Sequence, residues 1–152
     1  MKIRHILEKK GQQCHSISPD QPVAEAVRLM IHNRIGSLVV IEREQLVGIV
    51  TERDVVWAAG QHGVDLVNMT VHDIMAKTLV TCASEESLDH AMDLMTRNPT
   101  KRRIRHLPVI DDGKLVGLIS IGDIVHALLT KTEFENKLLK NYIKHWPDEE
   151  GA

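Results

Sequence analysis

The heptapeptide Gly48-Ile49-Val50-Thr51-Glu52-Arg53-Asp54 returns later in the chain as Gly117-Leu118-Ile119-Ser120-Ile121-Gly122-Asp123. Both copies follow a Leu-Val pair and continue into two more branched aliphatic residues. The pattern is typical of a strand that turns directly into a helix, with a hydroxyl and a carboxylate at the same spacing in each copy. Because an internal repeat constrains the fold more than a single motif does, these segments predict a duplicated unit and a duplicated binding site.

The chain around this repeat has the composition of an ordinary globular protein. Its 152 residues suffice for one domain or for two small halves that share a core. Hydrophobic residues make up 43% and aromatic residues only 3%, so we expect an aliphatic core. The net charge of −2, with His counted as neutral, provides no overall attraction to nucleic acid or to an anionic membrane.

Cysteine, histidine and hydropathy patterns argue against several other classes of protein. Cys14 and Cys82 form no C-x-x-C pair and the histidines lack ligand spacing, so we predict neither disulfides nor a metal site. The N-terminal segment carries charges throughout, unlike a signal peptide, and no stretch approaches the ~18 apolar residues that cross a bilayer. We therefore expect a cytoplasmic protein without a membrane partner.

Each half is predicted to fold as strand, helix, strand, strand and helix. The predicted elements are helix 24–31, strands 37–41 and 46–50 and helix 53–59 in the first half, and helix 88–96, strands 107–110 and 115–120 and a helix from about 122 in the second. The buried stripe of the first helix is expected to run through Val23, Val27, Met30 and Ile31. Gly60 is the expected C-cap of the helix that precedes it.

The two halves differ in length between their first helix and their next strand. Val23 aligns with Leu88 and Leu38 with Leu107, so the offset grows from 65 to 69 residues and the second half carries a four-residue insertion. The insertion falls within 98–103, the most basic stretch of the chain.

A lead-in to each half also repeats, at 3–7 and at 71–75. The order predicts three segments, which are repeat one with its lead-in over 1–68, repeat two with its lead-in over 69–130, and a C-terminal helix and tail over 131–152.

These features resemble a tandem pair of CBS domains, known as a Bateman module. The resemblance rests on G-h-h-[ST]-x-x-D in each half, the [LV]-x-x-Ala-x-x-Leu-Met helices, the Leu-Pro-Val strand at 107–109 and the Val-x-Asp-Ile-Met lead-in at 71–75. It implies an α/β fold in which two β-α-β-β-α repeats pack as a pseudo-twofold unit, followed by a C-terminal helix.

The resemblance also implies a ligand. Paired CBS domains commonly bind adenine nucleotides, such as AMP, ADP, ATP, S-adenosylmethionine or NAD(H), in clefts between the halves. The Ser or Thr hydroxyl would contact phosphate and the Asp would bind the ribose hydroxyls, which nominates Thr51 with Asp54 for one cleft and Ser120 with Asp123 for the other. The adenine pocket is expected beside strand residues that include Ser16, Ser37, Thr81 and His106.

General chemistry supports these assignments and leaves a structural alternative open. A strand that turns directly into a helix points free N–H groups outward, where phosphate binds well, and a carboxylate is a suitable acceptor for two ribose hydroxyls. Both hydroxyl-x-x-Asp segments also have the spacing of helix N-caps and capping boxes. The two roles are compatible, because a cap hydroxyl satisfies only part of the free N–H set.

Arginines distinguish the two predicted clefts. Arg53 lies within the first motif, where the second has Gly122, and it either reaches a phosphate or is a solvated side chain. Arg103 and Arg105 are expected to neutralise phosphate in the second cleft, with His106 against the base. A nucleic-acid patch and a solvated loop are the alternatives for this basic run.

The expected function is regulatory. Enzyme activity is not expected, since no base neighbours the motif hydroxyls and the chain lacks a G-x-S-x-G elbow and a P-loop. We expect a sensor that binds AMP, ADP, ATP or NADH without a metal and acts through a change in conformation or association, as a homodimer of CBS pairs. An unidentified effector protein is a further candidate partner. The alternative is a nucleotide-independent protein-interaction module.

Overall fold

The computed structural model describes residues 1–11, 14–97 and 103–144, so most of the predicted insertion and the end of the tail lie outside the described residues. The elements, in chain order, are α1 (Ile3–Lys10), β1 (Ser16–Ile17), α2 (Val23–Asn33), β2 (Ser37–Glu42), β3 (Gln45–Thr51), α3 (Glu52–His62), a 3-10 helix (Gly63–Asn68), α4 (Val71–Ile74), α5 (Leu88–Thr96), β4 (His106–Asp111), β5 (Lys114–Ser120) and α6 (Ile121–Lys144).

An antiparallel hairpin forms the centre of each repeat. β2 pairs with β3 and β4 pairs with β5, and each hairpin shifts its register at the same place, after Val40 in one and after Val109 in the other. β1 adds a parallel strand beside β2, whereas its counterpart in the second repeat is a single parallel bridge between Cys82 and Val109. The predicted order of strand, helix, strand, strand and helix is confirmed, with the first strand of the second half reduced to this bridge.

Both hairpins turn over two residues with positive φ. Arg43 and Glu44 have φ of 50° and 65°, and Asp112 and Gly113 have φ of 51° and 75°. Positive φ at both central residues is the arrangement that matches the twist of the flanking strands. The sequence Asp-Asp-Gly at 111–113, placed between the two predicted strands, is of the kind that favours such a turn, and the turn is present.

The first helix of each repeat buries a narrow apolar face. α2 buries Val23, Ala26 and Met30, but Ile31 is 72% exposed, so the predicted stripe is wrong at that position. Residues spaced by three and four positions around Ala26 already fill the face toward the sheet, and Ile31 lies beyond its edge. α5 begins and ends where the sequence predicts.

The helix after the first motif is longer than expected. α3 continues through Gly60 to His62 and ends at Gly63, whose φ is 55° and whose N–H donates to the Ala59 carbonyl. The predicted C-cap at Gly60 is wrong, because a glycine inside a helix costs only about 1 kcal/mol relative to alanine and a capped helix tolerates it.

Two aliphatic cores, one for each repeat, contain most of the buried apolar residues. The first holds Ile17, Ala26, Met30, Leu38, Val40, Val50, Val71 and Met75. The second holds Ile3, Ile6, Leu7, Cys82, Leu88, Ala91, Met95, Leu107, Val109, Ile119 and Ile124. The lead-ins are therefore exchanged, since α1 packs into the core of the second repeat and α4 into the core of the first. The segment boundaries remain a prediction, but the packing crosses the one at residue 68.

The glycine of each motif makes room for an exchanged lead-in. A Cβ on Gly48 would lie 2.7 Å from the Met75 sulfur, and a Cβ on Gly117 would collide with the Leu7 side chain. Beside Gly48, Ile49 and Ala76 exchange two backbone hydrogen bonds of 3.1 and 2.9 Å. The chain that follows α4 is thereby held against β3, at the edge of the site described next.

Candidate functional site

Thr51 joins the strand and the helix of the first motif. It is the last residue of β3 and the N-cap of α3, and its hydroxyl oxygen accepts from the Asp54 N–H at 3.4 Å. The Asp54 carboxylate in turn accepts from the Thr51 N–H at 2.9 Å and from the Thr51 hydroxyl at 3.2 Å. The capping role is confirmed for this pair, and Asp54 takes the place that Glu or Gln more often fills in a capping box.

Thr51 and Asp54 line a cavity of about 700 Å³ whose walls come from both repeats. One wall is the end of β3 with the start of α3, the second is the segment 75–80 after α4, and the third is the run from Arg103 to His106 at the start of β4. Arg53 connects two of these walls, because its Nη1 donates to the Arg103 carbonyl at 3.3 Å. A cavity of this size is within the range that holds a small ligand.

The described walls of this cavity carry an excess of positive charge. Glu52 and Asp54 are the two carboxylates, and the four cationic side chains are Arg53, Lys77, Arg103 and Arg105. The lining is therefore more positive than negative by two charges. Guanidinium groups converging on one space are suited to bind the oxygens of a phosphate.

His106 contributes a neutral ring to the same cavity. Burial lowers the pKa of this imidazole, and the nearby Lys10 and Arg105 lower it further against the opposing effect of Asp123 and Glu52. The ring is consequently uncharged at neutral pH, where it can stack on a base or form a hydrogen bond with one.

The structure corrects the placement of the basic run. The sequence assigned Arg103 and Arg105 to the cleft of the second motif, but both line the cavity of Thr51 and Asp54. That assignment is wrong because the start of β4 faces the first turn of α3 of the other repeat. Proximity along the chain did not indicate which motif these arginines would meet.

The second motif has the same capping geometry in a different setting. The Ser120 N–H donates to Asp123 Oδ2 at 2.8 Å and the Asp123 N–H donates to the Ser120 hydroxyl at 3.1 Å, but neither residue lines the cavity. Lys10 Nζ lies 2.7 Å from Asp123 Oδ2 and 2.9 Å from the Leu118 carbonyl. Burial tends to raise the pKa of Asp123, but the hydrogen bonds from Lys10 and Ser120 outweigh it and hold the pKa below its ordinary value.

Three predicted adenine-pocket residues do not line the cavity. Ser16 is exposed on β1, Thr81 is exposed before Cys82, and Ser37 is buried and pairs with Thr51 in the β2–β3 ladder. Their chain neighbours Gly36 and Val80 line it instead. Adjacent residues of extended chain face opposite sides, so an error of one position reverses the direction of a side chain.

Sequence reasoning also missed the segment after α4. Lys77, Thr78 and Leu79 line the cavity, yet no motif contains them. The lead-in at 71–75 is the signal that could have indicated them. It does so only if one expects that α4 packs into the core of the first repeat and carries the residues after it to the cavity.

Comparison with known proteins agrees with this architecture. Two stretches of the chain, residues 5–60 and 71–130, match the family model of the CBS domain. The chain belongs to the CBS domain family. This CBS pair is 35% identical to the CBS domain-containing protein CBSX3, mitochondrial, of Arabidopsis thaliana, in an alignment 151 residues long that covers 93% of this chain and 71% of that protein.

Solved structures of other CBS proteins superpose on this CBS pair. The CBS-domain containing protein ATU1752 from Agrobacterium tumefaciens matches with a TM-score of 0.79 and 34% identity over 84% of this chain and 98% of that chain. The CBS domain pair of protein MJ0100, in complex with 5′-methylthioadenosine and S-adenosyl-L-methionine, matches with a TM-score of 0.67 and 25% identity over 84% of this chain and 99% of that chain.

These likenesses confirm the tandem CBS pair and its α/β fold of two repeats with a C-terminal helix. They also place this CBS pair in a class of regulatory modules that bind adenosine ligands. Within the described ranges, no helix is long and apolar enough to span a membrane, and no group of three or more His, Cys, Asp or Glu is arranged to hold a metal ion.

Proposed function

We propose that this CBS pair is a sensor that binds an adenine nucleotide in the cavity between the repeats. The observation that carries the proposal is that the Thr51–Asp54 pair and three arginines meet in one cavity of suitable size. A carboxylate that can accept from ribose hydroxyls thus lies beside cations that can bind phosphate.

The charge of the cavity favours phosphorylated adenosines. With two more cationic than anionic groups in its described lining, the cavity attracts AMP, ADP, ATP or NADH, whose phosphates are negative. S-adenosylmethionine has no phosphate, and its sulfonium and ammonium outweigh its one carboxylate, so it gains less from the arginines than a phosphorylated adenosine does. His106, which is neutral, is proposed to lie against the base while Arg53, Arg103 and Arg105 meet the phosphates.

The response to the nucleotide is proposed to be a change in conformation or association, without catalysis. A ligand shifts an equilibrium only through its different affinities for two states, and a cavity whose walls come from both repeats couples occupancy to their arrangement. A homodimer is the proposed assembly. Large exposed apolar side chains outside the cavities support it, and they lie on α3 and α6 at Val56, Val125, Leu129, Phe134, Leu138, Leu139, Tyr142 and Ile143. The cytoplasmic location stays a prediction.

A thermal-shift series with AMP, ADP, ATP, NADH and S-adenosylmethionine tests the proposal. A ligand at a hundred times its Kd stabilises the folded state by about 2.7 kcal/mol, so a phosphorylated adenosine should raise Tm clearly and S-adenosylmethionine should raise it less. Asp54→Asn should abolish the shift. Asp123→Asn is the matched control, since Asp123 has the same place in its motif but lies outside the cavity, and this variant should keep the shift.

Two results would contradict the proposal. One is the absence of any shift at millimolar concentrations of all five compounds, which would favour the protein-interaction module, with α6 as its contact surface. The other is an equal loss of the shift in both Asp variants, which would place the ligand outside this cavity.

A further inference from the structure

A second cavity, of about 500 Å³, adjoins the first. It lies between α3 and α4, and its walls include Trp57, Met69 and Asp73. Arg53, Asp54 and Arg103 line both cavities, so these residues form the boundary between them. A ligand anchored at the two arginines can therefore extend to either side.

The two cavities differ in charge. The first has two more cationic than anionic groups in its described lining. In the second, Arg53 and Arg103 are balanced by Asp54 and Asp73, with His62 counted as neutral. Negative phosphates are consequently favoured in the first cavity and at the shared arginines, and an uncharged group is favoured in the second.

Trp57 offers the second cavity a surface for an aromatic ring. It follows Arg53 by one turn of α3, and 64% of its surface is exposed. Stacking on an aromatic side chain stabilises a bound base by about 1–3 kcal/mol, whichever base it is.

Asp73 repeats the geometry of Asp54 in a third hydroxyl-x-x-Asp segment, Thr70 to Asp73. Its Oδ2 accepts from the Thr70 N–H at 2.8 Å and from the Thr70 hydroxyl at 3.1 Å, close to the 2.9 and 3.2 Å of the Thr51–Asp54 pair. The adjoining cavities thus contain two carboxylates of the same local geometry, one on each side of the arginines. Each is placed as an acceptor for one ribose.

We infer that the joined cavities bind a dinucleotide, in which two nucleosides flank a pyrophosphate. One nucleoside occupies the larger cavity with its ribose at Asp54, and the pyrophosphate lies at Arg53 and Arg103. The second base stacks on Trp57 and its ribose meets Asp73. This inference rests on the proposed function and narrows it from adenine nucleotides in general to dinucleotides.

Calorimetric titration of the full chain with AMP, NAD⁺ and diadenosine diphosphate tests the inference. At least one dinucleotide should bind about fivefold or more tightly than AMP, because stacking adds at least about 1 kcal/mol. Trp57→Ala should weaken the binding of that dinucleotide by about 5- to 150-fold and change the affinity for AMP by less than about twofold. Asp73→Asn should likewise weaken the dinucleotide and leave AMP unchanged.

Matched controls separate these effects from changes in folding or assembly. Val56→Ala alters the exposed neighbour of Trp57 on α3, and Asp65→Asn alters an exposed carboxylate of the 3-10 helix. Neither residue lines either of the two cavities described above. Both controls should bind all three compounds like the wild type. Because the chain has two tryptophans, Trp146→Phe leaves Trp57 as the reporter, whose fluorescence the dinucleotide should quench and AMP should not.

The outcomes distinguish the two proposals. If AMP binds through Asp54 but neither dinucleotide binds more tightly, the inference is wrong and the proposed function stands. An equal loss of AMP and dinucleotide binding in Trp57→Ala also overturns the inference. If none of the three compounds binds, both proposals fail.

Discussion

Asp54 and Asp123 occupy the same place in the repeat, yet they meet different neighbours. Asp54 lies at a cavity where arginines of the other repeat converge, whereas Asp123 contacts the ammonium of Lys10. Lys10 comes from α1, the lead-in that crosses into the second repeat. The exchange of lead-ins therefore contributes to making two copies of one motif unequal in their chemistry.

The pH dependence of stability should report on His106. Its pKa in the folded state lies below that of an unfolded histidine, about 6.5. Between these two values the unfolded chain binds more protons, so the free energy of unfolding must rise with pH there. Stability should thus be complete above about pH 6.5 and fall as the pH drops below it, levelling off beneath the folded pKa.

Urea denaturation of the wild type and of His106→Gln between pH 7.5 and 5.5 measures this effect. The variant should lose less stability than the wild type over this interval, since it lacks the buried ring that resists protonation. His126→Gln, which alters an exposed histidine of α6, is the control and should follow the wild type. Parallel pH curves for wild type and His106→Gln would contradict the role assigned to burial.

Single residues also mark how far the sequence could predict the site. The hydroxyl and carboxylate of the motif could be predicted from the sequence, because their spacing is local and the capping geometry follows from it. The residues that meet Asp54 in the cavity could not be predicted, because Arg103 and Arg105 come close to it only through the packing of one repeat on the other. The sequence pointed to Ser37 and Thr81, whereas their neighbours Gly36 and Val80 line the cavity. A short apolar run does not locate its cavity-facing residues more closely than one position.

Among the elements, α3 contains a pair of glycines with opposite expected behaviour. A Cβ on either Gly60 or Gly63 would meet nothing within 4 Å, so packing does not distinguish them. Gly60 lies inside the helix, and Gly60→Ala should raise the free energy of unfolding by about 0.5–1 kcal/mol. Gly63 has a φ of 55°, and Gly63→Ala should lower it by about 1–2 kcal/mol.

Thermal and chemical denaturation of the two alanine variants check this pair of predictions. Because the two substitutions are the same and lie three residues apart, each serves as the control for the other. A shift of the same sign in both variants would mean that α3 does not end where the structure ends it.

Hairpins and helix periodicity were the predictable elements, since turn residues and apolar spacing are local. The end of α3 could not be predicted in this way, because the sequence offers two glycines, Gly60 and Gly63, at which the helix could end. Only the backbone conformation, with its positive φ at Gly63, decides between them. The continuity of α6 from the second motif to Lys144 follows from an unbroken helical pattern in the sequence.

At the scale of the whole molecule, the exchanged lead-ins join the two cores. Leu7 is 5% exposed and packs in the core of the second repeat, although it precedes the first. Leu7→Ala should lower the free energy of unfolding by about 2–5 kcal/mol, as other large-to-small core substitutions do. Ile31→Ala removes an exposed aliphatic side chain and should change stability by less than about 0.5 kcal/mol.

Equilibrium unfolding of these two variants, followed by tryptophan fluorescence and by circular dichroism, provides the measurement. The two signals should coincide in Leu7→Ala as in the wild type, because neither core is complete without the other half. A destabilisation of Leu7→Ala no larger than that of Ile31→Ala would argue against the packing of α1 in the second core.

The proposed dimer depends on the exposed apolar face that α6 presents. Replacing Phe134 and Leu138 together by Asp should convert a dimer into a monomer, since it places charges at the centre of that face. Light scattering after size-exclusion chromatography measures the mass. Lys137→Asp adds an acidic side chain to the same helix and should leave the dimer intact, and a dimer that survives the double substitution would show that α6 is not its interface.

The exchange of lead-ins also sets an order of events during synthesis. The first core is complete once Met75 has left the ribosome, so the first repeat can close while the second is still being made. α1, which precedes the first repeat, finds its partners only when the strands of the second repeat and Ile124 have followed. Its apolar side chains Ile3, Ile6 and Leu7 therefore lack their core partners until the second repeat has been synthesised. α1 is therefore made before the first repeat but packs only after the second.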